Sequence, residues 1–85
     1  MTRKVLDRAK DVISQIHKRF PQAQLSILPD TLEDVDAIIL ARVPSEEMAE
    51  SLRDFTGELT YNLLVDEGLN FIVWIHDLED NRVLA

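Results

Sequence analysis

Asp34-Val35-Asp36-Ala37-Ile38-Ile39-Leu40-Ala41-Arg42-Val43-Pro44-Ser45 decides how the rest of the chain must be arranged. From Val35 to Val43 the run is apolar on both alternating faces, apart from Asp36 near its start and Arg42 near its end. A strand apolar on both sides is usually the central one of a sheet. Pro44 closes the run because it has no amide hydrogen to donate to a ladder. Ser45 then stands where an N-cap is needed, with Glu46 and Glu47 in a first turn whose dipole favours negative charge.

A second helix is expected to start there, with an apolar stripe of Met48, Leu52, Phe55, Leu59 and Leu63. Gly68 is a natural stop, but Asp66 and Glu67 are unfavourable in a last turn, which places the helix end near Leu64. Asn70 to His76 reads as a third strand. On the other side, Val5, Leu6, Ala9, Val12, Ile13, Ile16 and Phe20 recur at spacings of three and four and predict an amphipathic helix ended by Pro21. Gln22 to Ile27 alternates polar and apolar, so Ala23, Leu25 and Ile27 face a core.

The order is helix, strand, strand, helix, strand. Pro29 to Glu33 reads as a tight turn, which makes the first two strands an antiparallel hairpin. The second helix is long enough for a right-handed crossover that leaves the third strand parallel to the second. The expected fold is α/β, an α+β sandwich: a three-stranded mixed sheet with two helices on one face. The 85 residues, 46% of them hydrophobic, allow one domain over 1–85 with its core in 3–76 and a loose tail over 77–85.

Net charge is −7, unevenly divided. Residues 1–28 carry six Lys and Arg against Asp7 and Asp11, while residues 29–85 carry three Arg against fourteen Asp and Glu. That many carboxylates would repel a phosphate backbone, so a nucleic-acid partner is not expected. There is no cysteine, which excludes disulfides, thiolate metal sites and a cysteine nucleophile. With neither a signal-peptide pattern nor an apolar run of about 20 residues, no membrane is expected and the location expected is cytoplasmic.

Two helices on one side leave the other side of the sheet to Ser26, Asp36, Ile38, Leu40, Arg42, Ile72, Trp74 and His76. Ile38, Leu40, Ile72 and Trp74 side by side would form an apolar patch of several hundred Å², a size that marks interaction sites. The candidate interface is Ile38, Leu40, Arg42, Ile72, Trp74 and His76, and the expected partner is a second copy or another protein. A two-fold axis would let the patch cover itself. Alternatively, Leu78, Val83 and Leu84 of the tail fold back over it.

Asp34 and Asp36 are two residues apart and would share one face of the strand, as a hard cation such as Mg²⁺ requires of its oxygen ligands. The same pair also reads as a polar lead-in to a strand. Elsewhere, His17 stands beside Lys18 and Arg19 on a helix surface. His76 and Asp77, as neighbours on a strand, point to opposite faces. None of Ser14, Ser26, Ser45 and Ser51 lies in a Gly-flanked elbow. No catalytic residue is assigned. Glu46, Glu47, Glu50 and Asp54 on the second helix suit either a solvated face or an acidic module for a basic partner.

The element order, together with Glu33-Asp34-Val35-Asp36-Ala37-Ile38-Ile39-Leu40 and the stretch from Ser51 through Gly68 to Ile75, resembles the minimal nucleotidyltransferases of the DNA polymerase beta superfamily. The resemblance covers residues 3–76 and implies Asp34 and Asp36 as Mg²⁺ ligands and a nucleoside triphosphate as ligand. The family's Gly-Ser pair after the first strand is replaced by Ile27-Leu28-Pro29-Asp30, and residues 70–76 lack the third carboxylate. Phosphoryl transfer rests on positioning and charge stabilisation. The departures therefore imply a degenerate, non-catalytic member with no resident cofactor, and Mg²⁺ and nucleotide belong only to the catalytic alternative.

Overall fold

The computed structural model of the chain describes residues 2–28 and 34–77. Its elements run α1 (Arg3–Arg19), β1 (Gln24–Ile27), β2 (Ala37–Val43), α2 (Glu46–Glu67) and β3 (Phe71–Asp77). β1 pairs antiparallel with β2, and β2 pairs parallel with β3, giving the order β1-β2-β3 with the all-apolar strand in the centre. This is the expected α+β architecture. The expected 29–33 turn and the tail beyond Asp77 lie outside the described residues.

Each helix has a chemical reason to begin and end where it does. Thr2 caps α1 by accepting the Val5 amide at 3.2 Å, and Ser45 caps α2 by accepting the Met48 amide at 3.2 Å, so each satisfies one of the donors a helix start leaves open. Phe20 closes α1 by donating to the Ile16 carbonyl at 2.7 Å, one residue before Pro21. α2 runs one turn past the expected end near Leu64. Gly68 adopts φ +70°, a left-handed conformation glycine takes without penalty, and its amide reaches the Leu63 and Leu64 carbonyls. The unfavourable Glu67 carboxylate is offset by Arg8 of α1, whose Nε donates at 2.9 Å. The bond to Glu67 raises the Arg8 pKa.

The core lies between the sheet and the helices. α1 contributes Val5, Ala9, Val12 and Ile16, the sheet contributes Ala37, Ile39, Ala41, Val43, Phe71 and Ile75, and α2 contributes Ala49 and Leu52. α2 is turned slightly from its expected stripe: Ala49, Leu52 and Thr56 are fully buried, while Met48, Phe55, Leu59 and Leu63 are half-buried. Small residues let the helix approach the sheet closely, and the Thr56 hydroxyl is satisfied by donating to the Leu52 carbonyl at 2.8 Å. Phe20 and Phe55 join the two helices with ring centroids 5.8 Å apart, and the Arg19 guanidinium lies 5.0 Å above the Phe55 ring. Among the described residues no helix is long and apolar enough to cross a membrane.

Candidate functional site: the outer sheet face

Alternation along the strands sorts the sheet into two sides. Leu25, Ile27, Ala37, Ile39, Ala41, Val43, Phe71, Val73 and Ile75 belong to the helix-covered core. Their neighbours in sequence therefore face away from the helices. Strand register aligns these outward residues in three rows: Gln24, Arg42 and His76; Ser26, Leu40 and Trp74; and Leu28, Ile38 and Ile72. Leu28 joins the third row because its amide donates to the Ile38 carbonyl at 2.9 Å, continuing the hairpin register one residue past β1.

The register thus brings Ile38, Leu40, Arg42, Ile72, Trp74 and His76 onto one continuous surface. Their accessibility differs. Ile38 is only 2% exposed and contributes packing rather than contact area, whereas Trp74 is 38% exposed and Leu40, Ile72 and Leu28 are half-buried. The accessible apolar surface is therefore centred on the Leu40–Trp74 pair. Beside it, Gln24, Leu25, Ser26, Leu40 and Arg42 line a shallow depression of about 250 Å³. Tail residues Leu78, Val83 and Leu84 lie outside the described residues.

The acidic pair is arranged differently from two ligands on a strand. β2 starts at Ala37, so Asp34 and Asp36 precede the ladder: Asp34 lies in a turn and is exposed, and Asp36 lies in a bend and is half-buried. Asp36 Oδ2 accepts the Asn70 amide at 2.7 Å, and the Asp36 amide donates to the Asn70 carbonyl at 2.8 Å. The Asn70 side chain completes the arrangement by donating through Nδ2 to the Asp34 carbonyl at 2.7 Å. The two parallel strands are thus pinned together at their beginnings by a carboxylate and an amide. Among the described residues, no three His, Asp or Glu side chains gather to hold a metal ion.

Asn70 and Leu28 were not distinguished by the sequence pattern, because each acquires its role from a strand remote in sequence. Nor did the pattern separate out Tyr61, Leu64 and Val65 of α2, which are 65%, 49% and 61% exposed. Tyr61 lies off the expected stripe and Leu64 and Val65 follow its last member, Leu63, so no periodicity in the helix marks them as an apolar surface. Comparison with protein-family models, curated proteins and solved structures gave no significant match.

Proposed function

We propose that this chain is a non-catalytic interaction domain of the cytoplasm that binds a protein surface, its own or another's, through the outer sheet face. The observation that carries this reading is the Leu40–Trp74 pair: register sets the two side by side on the helix-free side, and Trp74 stays more than a third exposed. Partly exposed aromatic residues flanked by aliphatic ones anchor protein interfaces, since they remove much apolar area from water per ordered side chain. The polar row of Gln24, Arg42 and His76 gives the patch the rim that interfaces carry. The test is the solution mass of Trp74→Lys against the parent chain over a concentration series, with circular dichroism as the check on folding. A folded variant with weakened association is expected, and unchanged affinity overturns the reading.

A second reading concerns ancestry. The element order and Asp36 at the head of the central strand support kinship with the minimal nucleotidyltransferases, retained as scaffold. In this reading Asp36, which would ligate Mg²⁺ in an active member, holds Asn70 instead, and Leu28 and Pro29 stand where a phosphate loop needs glycine. Calorimetric titration with Mg²⁺ and nucleoside triphosphate tests it. No binding at millimolar concentration is expected, and binding that disappears in Asp36→Asn would assign the chain to the catalytic alternative.

A further inference from the structure

We propose that the free edge of β3, together with the flanking side of α2, pairs with the same edge of a second copy, joining two three-stranded sheets into one of six strands. This goes beyond the reading of the outer face, because it concerns backbone groups and a helix side that the face does not include.

The orientation of the backbone follows from the ladder. The Ile38 carbonyl is turned to β1 by its bond from Leu28, so Leu40 and Arg42 turn the same way and Ile39, Ala41 and Val43 turn their backbone groups to β3. In the parallel register of Ile39 with Val73, the residues that receive those bonds are Ile72, Trp74 and His76. Phe71, Val73 and Ile75 therefore point their amides and carbonyls outward, and among the described residues no strand pairs with them. Such an edge is a template for another strand unless charge, proline or a bulge blunts it. From Phe71 to Ile75 the strand has none of these: it reads Phe-Ile-Val-Trp-Ile.

The helix beside this edge leaves room for a partner. Arg53, Thr56, Gly57 and Thr60 line a groove of about 290 Å³ with Phe71, Ile72, Val73 and Ile75. A side chain built on Gly57 would meet nothing within 4 Å. Gly57, Thr60, Tyr61 and Leu64 follow one another at helical spacing, so an uncharged stripe with two exposed large apolar groups continues the groove along α2.

A second copy is the occupant for three reasons. The chain carries a net charge of −7, so two copies approach best where carboxylates are absent, and the stripe of Gly57, Thr60, Tyr61 and Leu64 on the helix and Phe71 to Ile75 on the strand carry none, with Arg53 at the end of the groove as the one charged lining residue. The edge is also self-complementary: a two-fold axis through Val73 sets Phe71 against Ile75 of the second copy, all outward-pointing groups, and places Ile72 beside Trp74 of the second copy, an aromatic and β-branched pair. Finally, the seven-residue strand offers an edge about 23 Å long, and Tyr61 and Leu64 of the flanking helix, 65% and 49% exposed, add apolar side chains to the backbone pairing.

The experiment is amide hydrogen exchange of the full chain read by NMR at low and high concentration, paired with light scattering and repeated on Gly57→Arg. The Val73 and Ile75 amides are expected to slow by at least tenfold as the dimer fills, while Trp74 and His76 are slow throughout. Gly57→Arg improves the helix in isolation and places a bulky cation in the groove, so it should remain folded, stay monomeric and lose the concentration-dependent protection. Monomeric protein at every concentration overturns the proposal. Fast-exchanging Val73 and Ile75 amides would then leave the edge open, and slow ones would give it to a segment of the same chain. A dimer unaffected by Gly57→Arg, with no change at Val73 and Ile75, also overturns it. The outer-face reading is judged separately: a dimer formed through that face alone would be weakened by Trp74→Lys yet survive Gly57→Arg, with Val73 and Ile75 exchange independent of concentration.

Discussion

Asp36 and Asn70 form a reciprocal clamp: the carboxylate accepts one backbone amide at 2.7 Å and the Asp36 amide donates to the Asn70 carbonyl at 2.8 Å. Hydrogen bonds to charged groups contribute about 1.5–3 kcal/mol, and a partner left unsatisfied costs a comparable amount. Asp36→Ala is therefore expected to destabilise the chain by about 2 kcal/mol, and Asp36→Asn, which keeps an acceptor oxygen, by about 1 kcal/mol. Urea denaturation measures both. Equal stability of the parent and Asp36→Ala would show that the carboxylate does not hold the strand ends.

Gly68 and Gly57 should respond to alanine with opposite signs. Gly68 sits at φ +70°, where a Cβ is strained, so Gly68→Ala is expected to cost about 1 kcal/mol. Gly57 lies within α2 with open space around it, so Gly57→Ala should add about 0.5–1 kcal/mol. Thermal melts of the two variants separate the predictions by direction alone.

Leu52 is wholly buried between α2 and the sheet. Leu52→Ala should lose about 2–5 kcal/mol through transfer and the cavity left behind. That is a large share of the stability of a domain this size, about 5–15 kcal/mol at most. Loss of the cooperative transition, or a large drop in its denaturant midpoint, is the expected readout.

Arg8 and Glu67 join the start of α1 to the end of α2 across 59 positions of sequence. Because the bond to Glu67 raises the Arg8 pKa, the guanidinium contribution is complete below its unfolded value and is lost only as pH rises through the higher folded one. No stability change between pH 6 and 9 should therefore trace to Arg8 titration, and roughly the same range applies to any exposed Arg. Salt should act where pH does not: about 1 M NaCl screens the pair, so the stability difference between Glu67→Gln and the parent is expected to shrink at high salt. A difference that grows with salt would rule out the pair as its origin.

Trp74→Lys separates surface from core. Trp74 is partly exposed, so the substitution is expected to change stability by less than about 1 kcal/mol while weakening association at the sheet face. Loss of folding would instead place Trp74 among the residues that support the fold.

The elements themselves were legible in the residues. The three and four spacing from Val5 to Ile16, the doubly apolar run from Ala37 to Val43, and Ser45 with Gly68 as caps are local signals, because each depends on neighbours within a turn or two of chain. Local signals place the end of α2 a turn too early because Glu67 is unfavourable on its own helix and is compensated by Arg8, a residue of another element. The carboxylate pair has the spacing of a strand feature because alternation extends back to Asp34, while the ladder begins at Ala37 and the polar pair precedes it.

Hydrophobic periodicity, helix caps and the all-apolar central strand, acting over a few residues, determined which elements exist, their order and the side of the sheet that meets the helices. Tertiary structure decided what depends on register between distant strands: that Leu40 lies beside Trp74, that Ile38 is buried while its row partners are less so, that Asp36 serves Asn70, and that Phe71, Val73 and Ile75 turn their backbone groups to the side of β3 away from β2, where no strand pairs with them among the described residues. The physical reason is that a strand's own pattern repeats every two residues and is unchanged by sliding two positions along its neighbour. Only packing of all three strands against α1 and α2 selects one register, and with it the surface the protein presents.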